Sequence, residues 1–175
     1  TTTGDTKGNW IFEKDDEGII IKDQSNGGTD GDGIYAINSS TGTSLTINAA
    51  TTTGGRFGIL AQNFGTGALS ITTSGKTTGT NRDGISAYNK EGTSLTINAT
   101  DTEGGRNGIF AQNKGSGALS ITTTGETTGG TNYNGIFAKN FGTDLTIDAA
   151  DTTGGTNGIF AQNKGTGALS ITTTG

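Results

Sequence analysis

The sequence of 175 residues contains no cysteine, proline, methionine or histidine. Without cysteine, no disulfide framework can staple the fold and no thiolate can act as a nucleophile. Without histidine, the commonest general acid and base of enzymes is missing as well. Apolar residues make up only 28% of the chain, a fraction too low to fill a round core at this length.

Two further absences exclude classes of function. The formal net charge is −5, whereas a nucleic-acid-binding surface needs an excess of lysine and arginine to neutralise phosphates. No apolar run approaches the ~20 residues with which a helix spans a bilayer. We therefore expect neither a nucleic-acid partner nor membrane insertion by this chain.

Glycine and threonine dominate what is present, with 33 and 36 residues respectively. Disordered chains usually combine a high net charge with few β-branched residues. Here the net charge is low, and isoleucine and threonine are abundant. An ordered chain with a long, thin core is therefore favoured over disorder.

A Gly-Ile pair recurs six times along the chain. The copies begin at Gly33, Gly58, Gly84, Gly108, Gly135 and Gly158. Their mean spacing is about 25 residues, which lies in the range typical of solenoid repeats. Longer and shorter intervals alternate after the first, and every second copy follows after about 50 residues. Two types of coil therefore alternate and together form a superrepeat.

Each coil contains two short segments with a period of two, Ile-x-Ala-x-Asn and then Leu-x-Ile. Period two places alternate side chains on one face of a strand. Strands this short are stable only when stacked copies pair in parallel, at ~4.8 Å per coil, and bury a continuous apolar column. The sequence therefore predicts an all-β fold, a right-handed parallel β-helix (β-solenoid).

One asparagine falls at the same point of all six coils. Its amide can hydrogen-bond to the copies above and below, so we expect a structural asparagine ladder at a coil corner. The ladder comprises Asn38, Asn63, Asn89, Asn113, Asn140 and Asn163. Glycine-rich stretches such as Gly54-Gly55 and Gly129-Gly130 are predicted to form the other corners, where a positive φ is needed.

Residues 33–175 are predicted to form the β-helix repeats, and residues 1–32 an irregular N-terminal segment or an end coil. The strand that starts at Gly18 lies too close to the next Gly-Ile pair, at Gly33, for a full coil between them. It is either a first copy of the repeat strand or, with Trp10-Ile11-Phe12, a hairpin that closes one end. Because the chain opens and closes on Thr-Thr-Thr-Gly, we expect it to be part of a longer repetitive protein.

The Gly-Ile-x-Ala-x-Asn strand, the Leu-Thr-Ile or Leu-Ser-Ile strand and the Thr-Gly-rich corners resemble autotransporter passenger domains of Gram-negative bacteria, of the pertactin-like and AIDA-like type. The resemblance covers roughly residues 33–175. It implies a location on the cell surface or in the medium, and a role in adhesion or immune exposure. The implied partner is a host-cell surface protein or glycan, or an antibody. The resemblance also implies a C-terminal outer-membrane β-barrel in the parent protein.

One outward position of the first strand, between isoleucine and alanine, carries large side chains in most coils. The residues are Tyr35, Leu60, Ser86, Phe110, Phe137 and Phe160. Apolar side chains that face water in a row typically mark a contact surface, although neighbours on a parallel ladder can also simply stack on one another. Ser86 interrupts the row, which favours two smaller patches over one long groove.

Three consecutive coils carry an arginine two residues before the Gly-Ile pair. They are Arg56, Arg82 and Arg106. A column of guanidinium groups suits an anionic glycan, which it can hold through bidentate contacts. However, Asp83 adjoins Arg82, and the next two copies of the position are Tyr133 and Thr156, so a solvated corner is the favoured interpretation.

Two patterns indicate sites more weakly. The second strand carries outward pairs such as Thr46/Asn48 and Ser70/Thr72, an array similar to that of ice-binding solenoids, but serine, asparagine and aspartate interrupt the Thr-x-Thr lattice. The segment Asp30-Gly31-Asp32-Gly33 looks like part of a calcium loop, yet it lacks the distal acidic ligand, so an acidic turn is favoured.

Parallel β-helices include polysaccharide-cleaving enzymes, whose chemistry needs a unique cluster of carboxylates or of aspartate with arginine and lysine. Here the coils are near copies of one another, and acids and bases are scattered in loops. We therefore expect a non-enzyme without catalytic residues, cofactor or metal. The predicted function is an adhesin on the bacterial surface. The alternative is a passive stalk or antigenic shield whose parent chain carries the function elsewhere.

Overall fold

The computed structural model describes residues 25–175 and, before them, the backbone of two short strands at Thr2–Thr3 and Ile19–Ile20. Within these residues the chain forms strands, turns and bends, and no helix. Three parallel sheets run along a β-solenoid of about six turns. One turn takes about 25 residues, as in the step from Asn38 to Asn63. The predicted all-β solenoid is confirmed.

Each turn contributes one strand to each of the three sheets, which we name after their inward residues. The strands of the Ile-Ala sheet, which define coils 1 to 6, are Ile34–Asn38, Ile59–Asn63, Ile85–Asn89, Ile109–Asn113, Asn134–Asn140 and Asn157–Asn163. Those of the Leu-Ile sheet are Ile19–Ile20, Leu45–Ala49, Leu69–Thr73, Leu95–Ala99, Leu119–Thr123, Leu145–Ala149 and Leu169–Thr173. Those of the Thr sheet are Thr2–Thr3, Ser25–Asn26, Thr52–Gly54, Thr77–Gly79, Thr102–Gly104, Thr127–Thr128 and Thr152–Thr153.

The parallel register places equivalent residues of successive coils opposite one another. Ile85 pairs with Ile59 on one side and with Ile109 on the other, and all further residues of these strands keep that register. The end of the Leu-Ile strand alternates, since Ala49 pairs with Thr73. This alternation of alanine and threonine is the two-coil superrepeat, as it appears inside the structure.

The core is a narrow apolar column between the three sheets. Its members are the inward isoleucine and alanine of the Ile-Ala sheet and the inward leucine and isoleucine of the Leu-Ile sheet, which are almost completely buried in coils 1 to 5. Burial of one such isoleucine or leucine side chain stabilises the fold by roughly 1.5–3 kcal/mol. The inward position of the Thr sheet is threonine instead, so that sheet closes the coil without adding a long apolar side chain.

The glycine of each Gly-Ile pair is required by close packing against the Thr sheet. A Cβ atom on Gly84 would lie 2.7 Å from the Thr102 methyl carbon and 2.7 Å from the carbonyl oxygen of Glu103. The same contact joins Gly58 to the Thr77 methyl, at 2.7 Å. The repeated Gly-Ile motif therefore reflects the approach of two sheets, with glycine on one and threonine on the other.

The prediction of positive φ at the glycine-rich corners Gly54-Gly55 and Gly129-Gly130 is wrong. Among the described residues, Gly28 has a positive φ, of 72°, and these four do not. A Cβ atom on Gly54 would overlap the carbonyl oxygen of Phe57, and one on Gly130 would overlap that of Gly105. Glycine is needed there because a neighbouring carbonyl group occupies the space of a side chain.

Short strands that precede residue 33 also join these sheets. Ile19–Ile20 pairs in parallel with Ile47 and Asn48 of the Leu-Ile sheet, whereas a first copy of the Gly-Ile strand would lie in the Ile-Ala sheet. Ser25–Asn26 pairs in parallel with Thr52 and Thr53. Trp10-Ile11-Phe12, the other half of the predicted hairpin, lies outside the described residues.

Candidate functional site

The outer face of the Ile-Ala sheet carries the row of large side chains that the sequence indicated, which we call the first outward column. Its members pair in register from coil 1 to coil 6 and are Tyr35, Leu60, Ser86, Phe110, Phe137 and Phe160. The first five are half-buried, and Phe160 is 39% exposed. The structure therefore brings all the predicted apolar contact residues onto one face.

Three phenylalanines of this column form a continuous stack. The ring centroids of Phe110 and Phe137 are 5.1 Å apart with planes at 6°, and those of Phe137 and Phe160 are 4.9 Å apart with planes at 12°. The coil spacing of ~4.8 Å brings equivalent rings into this contact. Each stacked pair contributes about 0.5–1.5 kcal/mol beyond its buried area.

Two further outward columns, which the sequence pattern did not predict, run beside the first. The second outward column comprises Ile37, Gln62, Tyr88, Gln112, Lys139 and Gln162. The corner column, one residue after each ladder asparagine, comprises Ser39, Phe64, Lys90, Lys114, Phe141 and Lys164. Their signal in the sequence is positional: each member has a fixed offset from the Gly-Ile pair of its coil.

Lysines contact aromatic rings within and between these two columns. The Lys139 and Lys164 ammonium groups lie 5.4 and 5.9 Å from the centroid of Phe141, which is 38% exposed. The Lys114 ammonium group lies 5.6 Å from the ring centroid of Tyr88. These distances are those of cation–π contacts.

The three lysines at coils 4 to 6, Lys114, Lys139 and Lys164, form what we call the lysine cluster. Desolvation lowers the pKa of Lys139, and the neighbouring charges of Lys164 and Lys114 lower it further. In the described part of the chain, the ion pairs join Arg56 to Asp32, Lys76 to Glu103 and Lys90 to Glu91. No carboxylate there forms an ion pair with an ammonium group of the cluster.

The three predicted arginines do stack in one column, but aromatic rings or a carboxylate flank their guanidinium groups. Arg56 Nε lies 3.8 Å from a buried Asp32 carboxylate oxygen. The guanidinium carbons of Arg56 and Arg82 lie 5.7 and 5.9 Å from the Phe57 ring centroid. The guanidinium carbon of Arg106 lies 5.1 Å from the centroid of Tyr133.

The residue before each Gly-Ile pair forms a second polar ladder, which the sequence analysis missed. The members are Asp32, Phe57, Asp83, Asn107, Asn134 and Asn157. The Asn107 backbone N–H and side-chain amide donate to Asp83 Oδ1 at 3.0 and 2.9 Å, and Asn134 donates to Asn107 Oδ1 at 3.1 and 3.2 Å. Asp32, part of the predicted acidic turn, accepts a hydrogen bond from the Phe57 backbone N–H at 3.3 Å. Phe57 has no side-chain donor or acceptor, so it interrupts this ladder.

The six ladder asparagines make an unbroken chain of side-chain hydrogen bonds at the other corner. Nδ2 of each residue donates to Oδ1 of the next, from Asn38 to Asn163, at 2.7, 2.8, 2.8, 2.9 and 3.2 Å. The same Nδ2 also donates to carbonyl oxygens of its own coil, as Asn113 does to Gly117 at 2.9 Å. The ladder thereby ties each coil both to itself and to its neighbour.

The acids and bases of the Thr sheet lie around a shallow depression of about 390 Å³. Lys76 Nζ lies 2.6 Å from Glu103 Oε2, and Thr128 Oγ1 donates to Glu126 Oε1 at 3.0 Å. Across residues 25–175, no group of three or more acidic side chains is arranged to hold a metal ion. On the Leu-Ile sheet, hydroxyl side chains face outward in register, as in Thr46 opposite Ser70.

Within the described residues, no helix is long and apolar enough to cross a membrane. No protein-family model, curated protein or solved structure matches this chain. The function is therefore inferred from the faces of the solenoid themselves.

Proposed function

We propose that this chain belongs to the passenger domain of a bacterial autotransporter, displayed on the cell surface or secreted, and that it acts as an adhesin. The observation that carries the adhesin proposal is the stack of Phe110, Phe137 and Phe160 on the outer face of the Ile-Ala sheet. The host-cell contact lies on this face, and its partner is a surface protein or a glycan.

The fold does not require an aromatic side chain at these positions. Ser86 occupies the same position in coil 3, and its strand keeps the parallel register on both sides. The inward residues of that strand, Ile85 and Ala87, are fully buried like their counterparts in the other coils. Because serine suffices there, the phenylalanines of coils 4 to 6 add an apolar surface beyond what the solenoid needs, as expected of a contact site.

Binding of the purified protein to intact host cells, including erythrocytes, tests the adhesin. The decisive variant carries Phe110→Ser, Phe137→Ser and Phe160→Ser, which copies the natural serine of coil 3. A matched control carries Thr46→Ala, Thr96→Ala and Thr146→Ala on the outer face of the Leu-Ile sheet. We expect saturable binding that the phenylalanine variant loses and the control keeps, with the β circular dichroism of both unchanged.

The proposal fails if the unmodified protein does not bind, or if both variants bind as it does. Loss of β circular dichroism in the phenylalanine variant would show instead that the stack is needed for folding. The single variant Phe160→Ser then serves as the test, because Phe160 has a stacked neighbour on one side.

A passive stalk or antigenic shield is the second candidate, favoured by the modular interior. Deleting residues 84–134 joins Asp83 to Gly135 and removes one superrepeat without changing the order of inward residues. Because solenoid stability adds coil by coil, the shortened protein should stay folded. A stalk predicts that neither protein binds cells, whereas an adhesin predicts that the deletion weakens binding by removing Phe110.

A further inference from the structure

We propose that the lysine cluster of coils 4 to 6 binds an acidic glycan, one that carries carboxylate or sulfate groups. This rests on the adhesin proposed above and narrows its partner to one chemical class. The bound chain would run along the solenoid axis, over Lys114, Lys139 and Lys164.

The charge of the ligand follows from how the lysines are paired. Lys76 and Lys90 each have a glutamate partner, Glu103 and Glu91. The cluster has none in the described part of the chain, although the whole protein carries a net charge of −5. An acidic protein that leaves three ammonium groups together and without carboxylates presents one local site for an anion.

The closeness of the three ammonium groups supports the same conclusion. Desolvation and the positive charges of Lys164 and Lys114 together lower the pKa of Lys139. Like charges held this close repel one another, and a bound anion removes that repulsion. Lys139 and Lys164 also share one aromatic neighbour, since their ammonium groups lie 5.4 and 5.9 Å from the ring centroid of Phe141.

The extent of the cluster favours a chain of charges over a single ion. The backbones of Lys114 and Lys164 lie two coils apart, about 9.6 Å at ~4.8 Å per coil. Their ammonium groups lie against rings that are likewise two coils apart, Tyr88 of coil 3 and Phe141 of coil 5. Cations spaced in this way match a ligand whose anionic groups recur along its length. A single carboxylate could contact only part of the cluster.

The neighbours of the lysines favour a sugar. Phe141 is 38% exposed and lies against Lys139 and Lys164, and aromatic rings pack against the apolar C–H faces of sugars. Gln112 and Gln162 flank Lys139 in the second outward column, where their amides can donate to and accept from hydroxyl groups. Ammonium, amide and aromatic groups together suit a polyhydroxylated anion.

The arginine column is less suited to this ligand, although it was the sequence-based candidate for an anionic glycan. Arg56 lies beside Asp32, whose carboxylate already offsets its charge. Arg82 and Arg106 form no ion pair within the described residues, so this column offers two unpaired cations where the lysine cluster offers three.

Binding of heparin and of polygalacturonate, with neutral dextran as the uncharged probe, tests this assignment. The double variant Lys114→Gln/Lys164→Gln removes two charges of the cluster. The control Lys76→Gln/Arg56→Gln removes two charges that lie outside the cluster and have carboxylate partners. We expect the unmodified protein to bind at least one acidic polysaccharide and not dextran. Affinity should fall about 10-fold or more in the cluster variant and stay within about twofold in the control, with a weaker salt dependence in the cluster variant.

Equal losses in the two variants, or no acidic-polysaccharide binding by the unmodified protein, would overturn the proposal. Tighter binding of poly-glutamate than of either polysaccharide would overturn the glycan class. Cell binding separates this proposal from the adhesin proposal. If the phenylalanine variant loses cell binding and the lysine variant keeps it, the adhesin stands without the glycan. Polysaccharide binding without cell binding would support the glycan site alone.

Discussion

The inner and outer surfaces of the solenoid are made by the same strands, yet they differ in how closely the six coils resemble one another. Inward, isoleucine, alanine, asparagine, leucine and isoleucine repeat in every coil, in register. Outward, the first column changes from tyrosine to leucine, serine and phenylalanine along the same strands. The interior therefore fixes the register and the coil height, and it leaves the outer side chains free to differ.

The outer faces of the Leu-Ile and Ile-Ala sheets differ in how much their side chains vary from coil to coil. On the Leu-Ile sheet the outward residues stay small and polar, with threonine or serine at one position in all six coils. On the Ile-Ala sheet they include phenylalanine, tyrosine, lysine and glutamine. This difference supports the proposal that the partner binds the Ile-Ala face rather than the Leu-Ile face.

Replacing an inward residue should lower the stability of the solenoid more than any change on its outer faces. Ile97 is fully buried in coil 3, so Ile97→Ala should leave a cavity with full coils above and below it. We expect a loss of about 2–5 kcal/mol in the free energy of unfolding. Urea denaturation measures the loss against the control Thr96→Ala, the outward neighbour on the same strand. Similar effects of the two would contradict the distinction between the surfaces.

The next largest loss of stability is expected when one asparagine of the ladder is replaced. Asn113→Ala removes the hydrogen bonds that join Asn113 to Asn89 Nδ2 and Asn140 Oδ1, at 2.8 and 2.9 Å. It also removes the acceptor of the buried Gly115 N–H, at 3.1 Å. Each buried group left unsatisfied costs about 1–3 kcal/mol. The outward, exposed Asn98→Ala is the control, and hydrogen exchange of coils 3 to 5 is the second measurement. Protection that does not change in Asn113→Ala would contradict a structural role.

A smaller loss of stability is expected from a change on the outer face of the Ile-Ala sheet. Phe137→Ser removes two stacked contacts, worth about 0.5–1.5 kcal/mol each beyond buried area. Because Ser86 occupies the same position in coil 3, the variant should stay folded with an unchanged β spectrum. Thermal unfolding against Thr146→Ser measures the cost. A loss as large as that of Ile97→Ala would mean that the phenylalanine stack belongs to the core.

The smallest effect is expected from the Lys76–Glu103 pair, whose side chains are 53% and 51% exposed. The hydrogen bond with Glu103 raises the pKa of Lys76 above its ordinary value. A raised pKa means that the folded state holds the proton more tightly than the unfolded state. The contribution, about 0–1 kcal/mol, is therefore present at neutral pH and lost as the pH rises through the raised pKa. Lys76→Gln should lower the denaturation midpoint slightly at neutral pH and not above the raised pKa, where the unmodified protein has lost the same contribution.

The sequence predicts the Ile-Ala and Leu-Ile strands and the place of the ladder because each strand has at least two inward residues that repeat with period two. It does not reveal the Thr sheet as a third layer. Strands such as Thr52–Gly54 are very short, and their first inward side chain is a threonine. A pattern that short is indistinguishable from a polar turn until the packing of Gly33 against the Thr52 methyl is known.

The candidate site likewise has one part that the sequence predicts and another that it does not. The first outward column follows from period two alone, and the structure places its members in one row. The lysine cluster combines Lys139 of one column with Lys114 and Lys164 of another, and these residues lie in three coils. Their proximity depends on the angle at the corner beside the ladder, which residue spacing does not specify.

The asparagine ladder also gives the solenoid a polarity. Nδ2 of the first five asparagines donates to the later coil, and Oδ1 of the last five accepts from the earlier coil, so the amide dipoles point the same way along the axis. Dipoles aligned in series strengthen one another. A coil stacked before coil 1 meets an amide oxygen, whereas a coil stacked after coil 6 meets an amide nitrogen. A segment that caps the ladder at coil 1 must therefore offer a hydrogen-bond donor, and a segment that caps it at coil 6 must offer an acceptor.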